Sequence, residues 1–256
     1  MPQLDTVQDL DWWHVERLRA TTFHPIGTNT QRGSEWWEQV IGDNPDQVLA
    51  RPKEKHSQLT GILDDNQVTL VVRPERVDWV IQADLGGSNE SAQEVETLGP
   101  LTHALGTYRK VFEDWLRICP STVRLAFGAV LMRQVSDYSS AIQFLSRLLP
   151  NVELDDAGSE DFLYQINRPR SSQTKSDLRI NRLTKWSVVQ IGTITLGVET
   201  SGGSLTIGPQ QLACQLELDI NTPASLSEPF NQDEPQSLFS ELLELGIELA
   251  HKGDLP

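Results

Sequence analysis

Between residues 57 and 83, apolar and polar residues alternate. Leu59-Thr60-Gly61-Ile62-Leu63, a turn at Asp64-Asp65-Asn66, and Val68-Thr69-Leu70-Val71-Val72 read as strand, turn, strand. After a second turn at Pro74-Glu75-Arg76, Val77, Trp79 and Ile81 fall on one face of a third strand. The spacing predicts an antiparallel meander. Residues 84–97, with Gly86-Gly87-Ser88-Asn89-Glu90-Ser91, read as the main internal linker.

The period then changes. Leu101, Leu105, Tyr108, Val111, Phe112, Trp115 and Leu116 recur at helical spacing, and Pro120 closes that helix. Residues 122–132 are almost all apolar, with Arg124 as the one charge, which predicts a central strand buried on both faces. A second helix starts near Ser136-Asp137 and runs to Leu149, with an acidic loop over 153–161. Two or three strands are predicted over 162–194, and another over 211–221, where Leu212, Cys214, Leu216, Leu218 and Ile220 alternate with polar residues. Asp233-Glu234-Pro235 opens a last helix, striped by Leu238, Phe239, Leu242, Leu243, Leu249 and Ala250.

From residue 57 the order is βββ-α-β-α-βββ-α. That is the α+β class, a mostly antiparallel sheet with helices packed on one face. Leu105, Phe112, Trp115, Leu125, Phe127, Leu145, Leu218 and Leu242 are the expected core. Residues 1–56 read as a Trp-rich segment packed on a single domain of residues 57–256. Trp12-Trp13 and Trp36-Trp37 both lie at helical starts, the second capped by Ser34 and stopped by Gly42. These indoles either cover one edge of the core or form an aromatic platform for a base or sugar.

Composition narrows the picture. The 256 residues carry 36 acids against 21 Lys and Arg, a net charge of −15, and 38% are hydrophobic. These values exclude wholesale disorder and a coiled-coil rod. They also argue against a protein that coats DNA or anionic lipid over its whole surface. The longest apolar run, 125–132, is far short of the ~20 residues that span a bilayer. No secretory pattern opens the chain, and Cys119 and Cys214 lack metal or redox spacing. A cytoplasmic protein with no membrane association is expected, with both thiols reduced and inert.

Candidate chemistry is sparse. No two of the five histidines share i, i+4 spacing, and no nucleophile elbow, P-loop or dinucleotide fingerprint is present, so no cofactor is called for. Gly202-Gly203-Ser204 reads as a turn. Glu217 and Asp219, at i, i+2 on a strand, share a face; they suit either a divalent ion serving hydrolysis or a solvated face. Residues 168–185 carry a net charge of +5, leaving −20 for the rest. They read as a hairpin whose loop is 171–177, pairing Asn167 with Asn181 and placing Gln165, Asn167, Arg179, Asn181 and Lys185 on one polar face. Arg168, Arg170, Lys175, Arg179, Asn181, Arg182 and Lys185 are the candidate partner-binding residues. Such a hairpin docks phosphates, fits an acidic partner, or pairs with the protein's own acidic surface or another copy.

Three segments carry a resemblance: Arg182-Leu-Thr-Lys-Trp186-Ser-Val-Val-Gln-Ile191, Val123-Arg-Leu-Ala-Phe-Gly-Ala-Val-Leu131 and Leu216-Glu-Leu-Asp-Ile-Asn221. Over residues 60–252 the chain resembles a sporadically distributed family of bacterial hypothetical proteins. That family is marked by an arginine-bearing strand, an aspartate-bearing strand and a C-terminal helix. The resemblance implies an accessory or defence-associated setting and carries no catalytic motif. The expectation is therefore a non-catalytic binding or assembly protein, with a protein partner or a second copy as ligand. A nucleic-acid binder using 168–185 and a metal-dependent hydrolase are the alternatives.

Overall fold

The meander forms where the alternation places it. In the computed structural model, β3 (His56–Leu63), β4 (Asn66–Arg73) and β5 (Arg76–Ala83) pair in sequence, antiparallel. The structure describes residues 11–83, 96–155, 161–192, 194–199, 202–207, 210–231 and 233–254. Most of the predicted linker, 84–95, lies outside these residues.

Residues 11–56 supply strands to the sheet as well as a helix packed on it. β1 (His14–Phe23) lies inside the sheet, antiparallel to β5 on one side and β6 (Arg124–Val135) on the other. A bulge at Glu16 separates Val15 from Arg17 and shifts the register. Trp12-Trp13 is a turn into β1, not a helix start. Its place is fixed by packing: the Trp13 indole N–H donates to the Ala250 carbonyl (2.9 Å), and its ring meets Phe144 and Trp186.

β2 (Gln47–Arg51), β7 (Leu163–Asn167), β9 (Arg179–Ile191) and β12 (Gln211–Asn221) complete an antiparallel sheet ordered β2-β3-β4-β5-β1-β6-β12-β9-β7. The short β8 (Arg170–Ser171) also pairs with β9. β10 (Ile194–Glu199) and β11 (Gly202–Ile207) form a separate hairpin. Gly202-Gly203-Ser204, expected as a turn, opens β11 instead. The class is α+β, with more strands between the third and fourth helices than the alternation disclosed.

The helices are α1 (Gly33–Ile41), α2 (Leu101–Ile118), α3 (Tyr138–Leu148) and α4 (Glu234–Lys252). They pack on one face. Trp36 and Trp37 of α1 meet Trp115 of α2 and Trp79 of β5, so these indoles lie in the core. Gly246 of α4 lies over Phe127 and Leu218, and an added Cβ there would come within 3.0 Å of the Phe127 ring. α1 begins at Gly33 with Arg32 as its cap, rather than at Ser34. Of the expected core, Leu105 alone is half-buried, because the buried stripe of α2 runs through Ala104, Tyr108, Val111 and Trp115 beside it.

The opposite face carries no helix among the described residues. Strand alternation sends Leu18, Trp79, Phe127, Leu218 and Trp186 to the helices, and the residues between them to the other side.

Candidate functional site

The basic hairpin divides between these two faces. Its register is Asn167 opposite Leu183 and Arg170 opposite Ile180, one residue per strand away from the predicted pairing. The turn is set from within, by Ser172 N–H to the Leu178 carbonyl (2.8 Å), and from outside by the Glu241 carboxylate. That carboxylate accepts from Ser172 Oγ (2.6 Å) and the Gln173 N–H (2.7 Å). A slip of one on each strand preserves parity. Gln165, Asn167, Arg179, Asn181 and Lys185 therefore share the helix-free face.

The even-numbered cations face the helices, where Arg168 and Arg170 meet carboxylates and Arg182 Nε is buried without a partner. Arg168 grips Asp254 through Nε (2.5 Å) and Nη2 (2.9 Å), and Arg170 Nη1 reaches Glu248 at 2.6 Å. Lys175, in the turn, bonds Glu234 at the start of α4 (3.2 Å). Arg182 is buried beside this group, and burial lowers its pKa. Burial alone would raise the Asp254 carboxyl, but hydrogen bonds from Arg168 and Tyr164 hold it below the ordinary range. Glu248 is lowered against its own burial by Arg170. Gly253 makes this clamp geometrically possible. Its φ is +75°, and a Cβ there would fall 2.0 Å from the Leu148 carbonyl oxygen. The tight passage delivers Asp254 N–H to that carbonyl and the carboxylate to Arg168.

The helix-free face collects cations from strands distant in sequence. Arg17 and Arg19 come from β1, Arg73 and Arg76 from β4 and β5, Arg124 from β6, and Arg179 and Lys185 from β9. Carboxylates on this face include Asp78, Glu217 and Asp219. Asp78 is buried and takes Thr21, Arg73 and Arg76. Glu217 takes Lys185 Nζ (2.7 Å), and Asp219 takes Asn221 Nδ2 (3.1 Å). Arg124 lies over the Phe23 ring at 4.4 Å, where burial lowers its pKa and Asp219 opposes that. Arg17 and Arg19 have no carboxylate within 4 Å among the described residues.

These two arginines line a depression of about 420 Å³ at the middle of the face, with Gly128, Val130, Gln165, Lys185, Glu217 and Asp219. In one row of the sheet, Arg19 stands opposite Gly128 and Gly128 opposite Asp219. The Arg19 guanidinium lies over Gly128: a Cβ there would stand 3.3 Å from its Nε and Nη2. Arg19 Nε is shut off from solvent and has no hydrogen-bond partner. The hairpin pattern points to Lys185 and Asn181 on this face but not to Arg17 and Arg19. Their signal was the Arg17-Leu18-Arg19 alternation itself.

Nucleophile and metal chemistry have little to work with among the described residues. No three His, Cys, Asp or Glu side chains converge as a metal site there. Both cysteines are free, and burial pushes the Cys214 thiol up to about 12. Burial lowers His24, whose ring bonds Thr22 Oγ1 and the Ser121 carbonyl. No described helix is long and apolar enough to cross a membrane. The chain matches no known protein family, no curated protein and no solved structure.

Proposed function

We propose that the protein is a binding or assembly protein without a catalytic site of its own, and that the helix-free face of its sheet is the working surface for an anionic partner. The observation that carries this reading is a local reversal of sign. A chain of net charge −15 gathers arginines from five strands on one face and leaves Arg17 and Arg19 without carboxylate partners there. Of the hairpin residues, Arg179, Asn181 and Lys185 belong to this surface. Arg168, Arg170 and Lys175 are engaged by α4 and by Asp254 just after it, which weakens the case for the hairpin as a separate phosphate-docking patch. Glu217 is engaged by Lys185, which weakens the hydrolase alternative. The resemblance noted above supports an accessory, defence-associated role.

Chromatography on an anionic resin tests the reading directly. A protein of this charge binds phosphocellulose only through a locally positive face, and salt must release it. The native protein should be retained at low salt and an Arg17→Glu/Arg124→Glu variant should flow through. Native protein in the flow-through, or equal retention of the variant, overturns the proposal.

A further inference from the structure

We infer that the depression over Gly128 is a subsite for a small, hydroxyl-bearing phosphomonoester. This rests on the helix-free face being the working surface, and it names the ligand chemistry of that face.

The argument begins with charge. Arg17 and Arg19, two residues apart on β1, project from the same face with Cα atoms roughly 6.5–7 Å apart. Neither has a carboxylate partner among the described residues, and Arg19 Nε is a buried donor with none at all. Arg19 Nε has no surface that a ligand can reach, so an anion meets the two side chains at their remaining guanidinium N–H groups. A single carboxylate would match one of the two guanidinium charges. A phosphomonoester, at about −1.5 to −2 near neutrality and with three acceptor oxygens, matches both. The planar guanidinium fork suits such an oxyanion, and lysine would not reproduce it.

The rest of the depression differs in character. Two strands from Arg19, about 9.5–10 Å across the sheet, Asp219 presents a carboxylate held at one oxygen by Asn221. Its free lone pairs accept from hydroxyl groups. Gly128 between them keeps the floor low. The volume, about 420 Å³, fits a small molecule.

Calorimetric titration of the full chain tests this with four probes: inorganic phosphate, α-glycerophosphate, glycerol and hexaglutamate. Native protein should bind α-glycerophosphate more tightly than inorganic phosphate, and should not bind glycerol. Arg19→Gln should weaken both phosphate probes by about tenfold or more, with Arg19→Lys in between. Asp219→Asn should weaken α-glycerophosphate relative to inorganic phosphate, which loses a repelling charge and should bind no more weakly. If Arg19→Gln does not fold, as judged by its melting curve, Arg17→Gln at the exposed neighbour carries the same expectation. Equal phosphate binding by native protein and the arginine variants overturns the subsite. So does failure of native protein to bind either phosphate, or binding of hexaglutamate in their place. The phosphocellulose result separates these failures: native retention lost in the Arg17→Glu/Arg124→Glu variant keeps the working face while the subsite falls.

Discussion

Arginines sit on both faces of one sheet, and their surroundings differ. On the helix side, Arg168 and Arg170 end on Asp254 and Glu248, carboxylates supplied by α4 and the turn after it. On the other side, Arg19 ends over a glycine and Arg124 over a phenyl ring. The first group joins the β7–β9 edge to the helix layer. In the second, Arg124 Nε donates only to the Thr222 carbonyl (3.2 Å), and Arg19 Nε meets no acceptor. Where a charge meets its partner inside the fold, it acts as structure; where the fold leaves it unanswered, it is available to a ligand.

The largest test of this contrast is Arg168→Ala. It strands the Asp254 carboxylate, only 2% exposed, with Tyr164 as its remaining side-chain donor. Breaking one side of a buried pair costs about 3 kcal/mol, to be read from chemical denaturation. The same clamp predicts a pH dependence. Asp254 and Glu248 have folded-state pKa values below the ordinary carboxylate value of about 4. Their contribution is therefore complete above that unfolded value and is lost as the pH falls through the folded ones. The native protein should lose stability below about pH 4, and Arg168→Ala should flatten that loss.

An intermediate effect is expected at Lys185, which is hairpin-derived yet on the helix-free face and paired with Glu217. Both side chains are more than a third exposed, so solvent screens the pair. Lys185→Glu should cost no more than about 1 kcal/mol, and Lys185→Glu/Glu217→Lys should recover it in melting experiments. The smallest effect belongs to Arg17→Glu, which should leave stability within about 0.5 kcal/mol. A loss as large as that of Arg168→Ala would mean that Arg17 is structural and would erase the distinction between the faces.

Much of this fold is legible in the sequence because one side of each element is wet. The meander, the stripe of α2, β12 and the last helix each announce their period. β1 is harder to read: the bulge at Glu16 interrupts the alternation between Val15 and Leu18, and Thr22 stands where a strand core would ordinarily carry an aliphatic residue. The site was less legible still. A run such as 168–185 is visible as a cluster, whereas Arg19, Gly128 and Asp219 become neighbours only through the pairing of β1 with β6 and β6 with β12. Local charge density found cations that the fold mostly neutralises, and pairing topology brought together those it leaves free.

The position of α4 after every strand of the sheet has a consequence for the nascent chain. Synthesis proceeds from the N-terminus, so β6, β9 and β12 leave the ribosome before the helix that covers Phe127, Leu218 and their neighbours. Until α4 emerges, a broad apolar sheet has no lid on its middle, and the Asp254 latch on Arg168 comes later still. Assembly of this half therefore waits for α4, and the interval before α4 arrives is when a chaperone that shields apolar β-surface has something to hold.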